Sequence, residues 1–146
     1  ARRVPAQGAM ALRAVGGEEI DGFLDVFLAA FEVPVAIREG SKGNMRHWAG
    51  RKDFRLYVCD NHDEPAAVGV LFVSGGIGYL AASATLPEFR RQGCHSALIA
   101  RRMKDAAQQG CNLVTGQAAF GSTSQNNMER AGLRIAYTKA IWTSAG

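Results

Sequence analysis

The sequence predicts an α/β (α+β) chain with one mixed, mostly antiparallel sheet flanked by helices, in the order β-α-α-β-β-β-α-β-α-β. Three observations carry that expectation. First, β-rich runs at Phe54–Asp60, Ala67–Ser74 and Ile77–Ala84 are separated by the turn-forming stretches Asn61-His62-Asp63-Glu64-Pro65 and Ser74-Gly75-Gly76, the pattern of consecutive antiparallel strands. Second, helical apolar spacing precedes and follows this meander. Third, a strand-helix-strand unit runs from Ile77 to Gln117, and such units are normally parallel and right-handed. With 146 residues, 47% of them apolar and 21% charged, the chain has the size and balance of one globular domain with its own core.

In chain order, residues 1–8 carry Pro5 and Gly8 with little pattern and read as an N-terminal tail, leaving residues 9–146 as the domain. Ala9 to Val15 reads as a first strand closed by Gly16-Gly17. Ile20, Phe23, Leu24, Phe27, Leu28 and Phe31 recur at helical spacing, with Glu18 and Glu19 suited to the dipole of a first turn. Val33-Pro34 breaks this helix, and Val35 to Gly50 reads as a second one. Its Met45, His47 and Trp48 either line a pocket or pack in the core. After the three strands, Gly93 to Gln109 reads as a helix with Leu98, Ile99, Met103, Ala106 and Ala107 on one side and Gly110 as its C-terminal cap. Asn112 to Gln117 is a short strand. Gly121-Ser122-Thr123-Ser124 offers N-caps for a helix reaching Ala131, closed by Gly132, and Arg134 to Trp142 reads as the final strand.

Composition narrows the function. A net charge of +4 accommodates anionic ligands, but the Lys and Arg residues are scattered, with no basic block and no interleaved aromatics, so no nucleic acid is expected. No apolar run approaches the ~20 residues that span a bilayer, so no membrane is expected. Cys59, Cys94 and Cys111 form no Cys-x-x-Cys pair and no zinc-type cluster, which predicts no metal and reduced, packed thiols in a cytoplasmic protein.

The stretch from Thr85 to Leu98 carries the chemistry. A strand hands the chain through Pro87, Arg90, Arg91 and Gly93 into a helix start, where unpaired N–H groups and a partial positive charge suit phosphate oxygens. The same residues also fit an ordinary βα connection with solvated arginines.

This element order, with Pro87, the Arg90-x-x-Gly93-x run and the late Ala131-Gly132-Leu133, resembles the GNAT superfamily of acyl-CoA N-acyltransferases, most densely from residue 77 to 137. The resemblance implies a GNAT-like fold and acetyl coenzyme A as co-substrate. It implies that Arg90, Arg91, Gln92, Gly93, Cys94 and His95 hold the pyrophosphate through the main chain, with Ser96 beside them. It implies that Ser83, Ala84 and Thr85 meet the pantetheine arm, one of their N–H groups polarising the thioester carbonyl. The cofactor would lie across a V between the strand ending at Thr85 and the strand ending at Gln117.

Two residues depart from the family pattern. His95 stands where the family has Gly or Ala; its side chain points away, donates to a phosphate, or narrows the site. Met128 stands where many members carry a tyrosine that protonates the leaving thiolate, and a thioether cannot donate a proton. Tyr137 is the nearest chemical substitute in sequence, as catalytic acid or as a buried structural tyrosine. Asn127 either hydrogen-bonds the cofactor or serves as a polar surface or capping residue. For the general base, Glu32, Glu39 and His47 are candidates in the segments that border the acceptor site in this family.

The function implied is transfer of an acetyl group from acetyl coenzyme A to a primary amine by direct attack. The alternative is a catalytically degenerate coenzyme A-binding regulatory or structural domain, favoured by Met128 and His95. Members of the family commonly end in two strands where one is visible here. An open sheet edge then leads us to expect a homodimer or a missing partner domain in a longer tandem protein.

Overall fold

The computed structural model describes residues 10–146, so the tail expected at residues 1–8 and the first residue of the first predicted strand, Ala9, lie outside the described residues. The sheet has the order β1-β2-β3-β4-β5, from β1 (Met10–Val15), β2 (Phe54–Asn61), β3 (Glu64–Ser74), β4 (Ile77–Thr85) and β5 (Leu113–Gly116). The first three pairings are antiparallel, and β4 with β5 is parallel. The hairpin turns follow from their residues. His62 and Asp63 (φ 51° and 64°) and Gly75 and Gly76 (φ 57° and 76°) take the left-handed conformations that a two-residue type I′ hairpin demands.

Helices cover both faces. Alternation along β2 sends Leu56 and Val58 to one side and Tyr57 and Cys59 to the other. The first side packs against α1 (Ile20–Ala30) through Phe23, Leu24, Val68 and Val70. The second packs against α3 (Cys94–Gln108) through Leu71, Leu80, Leu98 and Ile99. Tyr57 donates its hydroxyl proton to Asp105 across this second layer at 2.7 Å, and burial together with that carboxylate raises its pKa. The helix α2 (Val35–Met45) and Arg46 just after it dock on α1 by ion pairs, Lys42 with Asp25 and Arg46 with Asp21 at 2.7 Å. The second predicted helix does not run unbroken to Gly50, because the chain tightens into a 3₁₀ segment over Arg46–Gly50. That turn brings Trp48 edge-on to Phe27 and Phe54, with ring centroids 5.5 and 5.9 Å apart. Packing of Trp48 thus overrides the regular α-helix.

Helix α1 ends in a Schellman closure, with the Val33 N–H on the Leu28 carbonyl and the Glu32 N–H on the Ala29 carbonyl, which places Glu32 at φ 58°. The helix α4 (Thr123–Arg130) starts on Ser122, whose Oγ accepts the Gln125 N–H at 3.1 Å. It closes through the Leu133 N–H on the Met128 carbonyl.

One expectation is corrected. The final strand predicted over Arg134 to Trp142 is not formed: the residues after α4 join no strand, and Ile135, Tyr137, Ile141 and Trp142 are 52%, 75%, 81% and 92% exposed. Their strand-like composition is a preference for a half-buried pleated surface. The free edge nearest in the strand order, β5, offers only four residues. The rest of the predicted order stands.

Candidate functional site

The site forms where β4 and β5 part. Their pairing runs from Ile77↔Leu113 to Leu80↔Gly116 and stops there, while β4 continues to Thr85 against β3. The cause lies in β4. Its register on β3 passes from Leu71↔Leu80 to Gly69↔Ser83, so two residues, Ala81 and Ala82, stand opposite Val70 alone. Such a bulge bends the strand and increases its twist. The result is a V with Ser83, Ala84 and Thr85 on one arm. Ser83 Oγ is committed to the Val68 carbonyl at 3.1 Å, so the main chain of this arm is what it can offer to a ligand. Met128 closes the apex: a Cβ on Gly116 would stand 3.2 Å from its Cε and 3.3 Å from its Sδ.

At the mouth of the V lies the loop from Pro87 to Gly93. Arg91 and Gly93 have φ values of 63° and 90°, and two left-handed residues on either side of Gln92 curl the main chain so that successive N–H groups can share a concavity. Helix α3 then begins without a side-chain cap, and its first N–H to find an intrahelical partner is that of Ala97, on the Gly93 carbonyl at 3.0 Å. The N–H groups through Ser96 are therefore orphans at the positive end of a 15-residue helix. Arg90, Arg91 and Ser96 are exposed beside them. The loop is braced from behind: the Gln92 side chain accepts from the Asn61 amide and donates to the Glu88 carbonyl, and Arg90 Nε donates to the Thr85 carbonyl at 3.4 Å.

The side chains of Cys94 and His95 turn elsewhere. Cys94 is buried in the α3-side core beside Cys59, and burial, reinforced by that neighbour, pushes the Cys59 thiol up to about 12. Both thiols are free and buried. His95 crosses to α4, its Nδ1 accepting from the Asn127 side-chain amide at 3.0 Å, which assigns the remaining ring proton to Nε2. Burial, with Arg102 adding to it, lowers the His95 pKa, so the ring is neutral at pH 7. Of the three roles open to His95 in the sequence, the first, a side chain that points away, describes its direction, but the bridge to Asn127 is not among them. It ties the first turn of α3 to the helix that carries Met128.

Other expected residues lie apart from the V. Tyr137 is 75% exposed, and among the described residues no hydrogen bond joins it to β4 or α4. Glu32 closes α1, Glu39 pairs with Lys42 at 3.0 Å, and His47 sits in the 3₁₀ segment. Trp48 serves both roles open to it, packing in the α1-side core and lining, with Ala14, Phe54 and Leu56, a cavity of about 150 Å³ on that face. Sequence reasoning missed the Asn61 brace, the Ala81–Ala82 bulge and the buried Arg102. Gly69 inside a strand was the available signal, since an interior strand glycine marks a bulge or a close approach.

An anion with a pyrophosphate's reach fits this arrangement: orphan N–H groups, a curled main chain and two exposed arginines converge at the mouth of a cleft that continues between two strands. Among the described residues no three His, Cys, Asp or Glu side chains gather as metal ligands, and no helix is long and apolar enough to cross a membrane.

Comparison with known proteins agrees with this geometry. The family profile of the acetyltransferase (GNAT) domain matches residues 1–120. An aminoglycoside N-acetyltransferase solved with CoA superposes with a TM-score of 0.72 at 14% identity, covering 99% of this chain and 100% of that one. A probable acetyltransferase gives 0.74 at 16% identity over 93% and 99% of the two chains. An aminoglycoside acetyltransferase from an uncultured soil metagenomic sample, solved with sisomicin, gives 0.70 at 14% identity over 94% and 95%. At these identities the likeness is one of fold. No curated protein matches the chain in sequence.

Proposed function

The chain belongs to the GNAT acetyltransferase family, and from that premise we propose that it transfers an acetyl group from acetyl coenzyme A to a primary amine by direct attack. The observation that carries this reading is the uncapped N-terminus of α3 beside Arg90, Arg91 and the left-handed Gly93, at the open end of the β4–β5 V. The main-chain N–H groups of Gln92 to Ser96 hold the pyrophosphate, and Arg90 and Arg91 add charge. Ser83, Ala84 and Thr85 present the β4 main chain to the pantetheine arm, and Asn127, held by His95, lies on the helix facing it. The thioester supplies an activated acyl carbon. One β4 N–H polarises its carbonyl as negative charge grows there, an oxyanion-type contribution.

Among the described residues no side chain at the V is placed as a base, so the amine loses its proton through water, and the acceleration comes chiefly from holding amine and thioester together. Met128 cannot protonate the leaving thiolate. Tyr137 is the proposed donor, and its service requires the segment after Leu133 to close over the V. A Tyr137→Phe variant with lower kcat at unchanged KM supports that role; an unchanged kcat removes it. The free edge of β5 and the exposed apolar residues from Ile135 to Trp142 are complementary features, and we propose that they meet across a homodimer, in which this segment closes over the V of the partner subunit. A monomer in light scattering overturns this.

The acceptor is a primary amine. Since two of the similar structures are aminoglycoside acetyltransferases, aminoglycosides belong in the test panel with polyamines, amino acids and peptide N-termini. The decisive assay is release of free thiol from acetyl coenzyme A across that panel. Turnover with an amine, tracked to an N-acetyl product, supports the proposal. Tight coenzyme A binding without turnover on the whole panel supports the second reading, a degenerate coenzyme A-binding domain, which the thioether at position 128 favours.

A further inference from the structure

Arg102 is an unusual occupant of the core. It lies on the sheet-facing side of α3 among Leu98, Ile99 and Ala106, and it is fully buried. Its Nε donates to the Leu98 carbonyl at 3.1 Å and its Nη1 to the Val70 carbonyl at 3.1 Å. Its Nη2 is, among the described residues, the one buried side-chain nitrogen or oxygen without a partner. Among the described residues no carboxylate pairs with it. Burial lowers its pKa to about 10, so it is still charged at neutral pH. Removing a cation from water without a counter-charge is costly, and an apolar side chain of similar volume would avoid that cost.

The β3 ladder shows what the guanidinium does there. The Ala66 carbonyl accepts the Leu86 N–H at 2.8 Å, and carbonyl direction alternates along a strand, so the carbonyls of Val68 and Val70 also face β4. Val68 receives the Ser83 hydroxyl in addition. Val70 stands alone opposite the two bulge residues Ala81 and Ala82, and Arg102 Nη1 donates to its carbonyl at that point of the ladder. Gly69 makes room for this: a Cβ there would stand 3.2 Å from Arg102 Nε and 3.3 Å from Cζ. The bulge follows directly on Leu80↔Gly116, the last pair between β4 and β5.

We propose that Arg102 is a positioning residue for acyl transfer: by holding the Val70 carbonyl opposite the Ala81–Ala82 bulge, it fixes that bulge and so sets the direction of the β4 main-chain donors lining the V. The inference rests on the acetyltransferase reading for its catalytic consequence. Its structural half stands without it.

The test uses Arg102→Met, Arg102→Lys and, as an independent route, Gly69→Ala. Amide exchange read by mass spectrometry should rise about tenfold or more in Arg102→Met within residues 78–86, while the β1–β2 amides stay as in the parent. With the best acceptor, kcat should fall about tenfold at a coenzyme A dissociation constant within about twofold, because the pyrophosphate cradle is untouched. Lysine should restore part of both, since Nζ can reach a carbonyl but lacks the fork. Gly69→Ala, which crowds the guanidinium from the opposite side, should reproduce the local exchange change, and it decides the matter if the methionine variant does not fold. Unchanged exchange at 78–86, or exchange that rises equally across the sheet, overturns the proposal. So does a coenzyme A affinity that falls as much as kcat. If the parent turns over no amine, the acetyltransferase reading fails, whereas the exchange pattern still decides the role of Arg102.

Discussion

Replacing Arg91 by glycine separates the two properties of the loop that the structure combines in one residue. Arg91 holds φ 63°, in the left-handed region, and it presents an exposed cation beside the orphan N–H groups of α3. An L-residue in that conformation is destabilised by about 1–2 kcal/mol. Glycine removes that cost but loses more backbone freedom on folding, about 0.5–1 kcal/mol. The net change in stability is therefore small, within about 1 kcal/mol and in the stabilising direction. Coenzyme A binding should respond differently. A cation 4 Å from one phosphate charge in a water-like dielectric is worth about 1 kcal/mol, and two phosphates about twice that, so the dissociation constant should rise about five- to thirtyfold. Titration calorimetry at about 0.1 M salt should show that gap. At about 1 M salt, where the Debye length falls to about 3 Å, parent and variant should converge. Arg91→Lys, which keeps the charge, should bind close to the parent. Equal affinities at low salt, or a gap that survives high salt, would refute the placement of this arginine beside the anion.

Four further outcomes follow from the same structure. Glu32→Gly, at the left-handed closure of α1, should raise unfolding free energy by about 0.5–1 kcal/mol in urea. Gly78→Ala would put a Cβ 2.7 Å from that of Ala106, and forcing α3 from the sheet should cost about 1–3 kcal/mol in the same measurement. Ser122→Ala removes the N-cap of the short helix α4 and should destabilise by about 1 kcal/mol, with faster amide exchange at Gln125. For His95, burial holds the folded-state pKa below the ordinary 6.5, so the unfolded chain binds the extra proton first. Stability from this group is thus complete above 6.5 and falls as pH drops from there through the folded value; the melting temperature should show that fall, and His95→Gln should flatten it.

The sequence made the meander and the strand-loop-helix turn before α3 legible because each rests on local chemistry. Residues Asn61 to Pro65 and Gly75-Gly76 permit little but tight turns, and Phe23, Leu24, Phe27 and Leu28 define one helical stripe wherever the chain lies. The bulge was not legible, since it is a mismatch of register between two strands and no property of either alone. Arg102 reads as a surface residue by composition, and its burial is seen only from its bonds to the Leu98 and Val70 carbonyls. His95 stood out as a departure, yet its partner Asn127 lies 32 residues away, and the side chain's direction depends on how α4 docks. The last strand failed for the opposite reason: Ile135, Tyr137 and Ile141 alternate as a strand would, but a strand is defined by the edge it lies on.

The central claim is that the start of α3 is the cradle for the pyrophosphate of acetyl coenzyme A. An amide-proton NMR titration of the full chain with coenzyme A tests it directly. The account predicts that the largest downfield proton shifts fall on the N–H groups of Gln92 to Ser96, with smaller shifts along Ser83 to Thr85. Saturation of coenzyme A with these amides unmoved, and shifts instead around Ala14, Trp48 and Phe54, would contradict it.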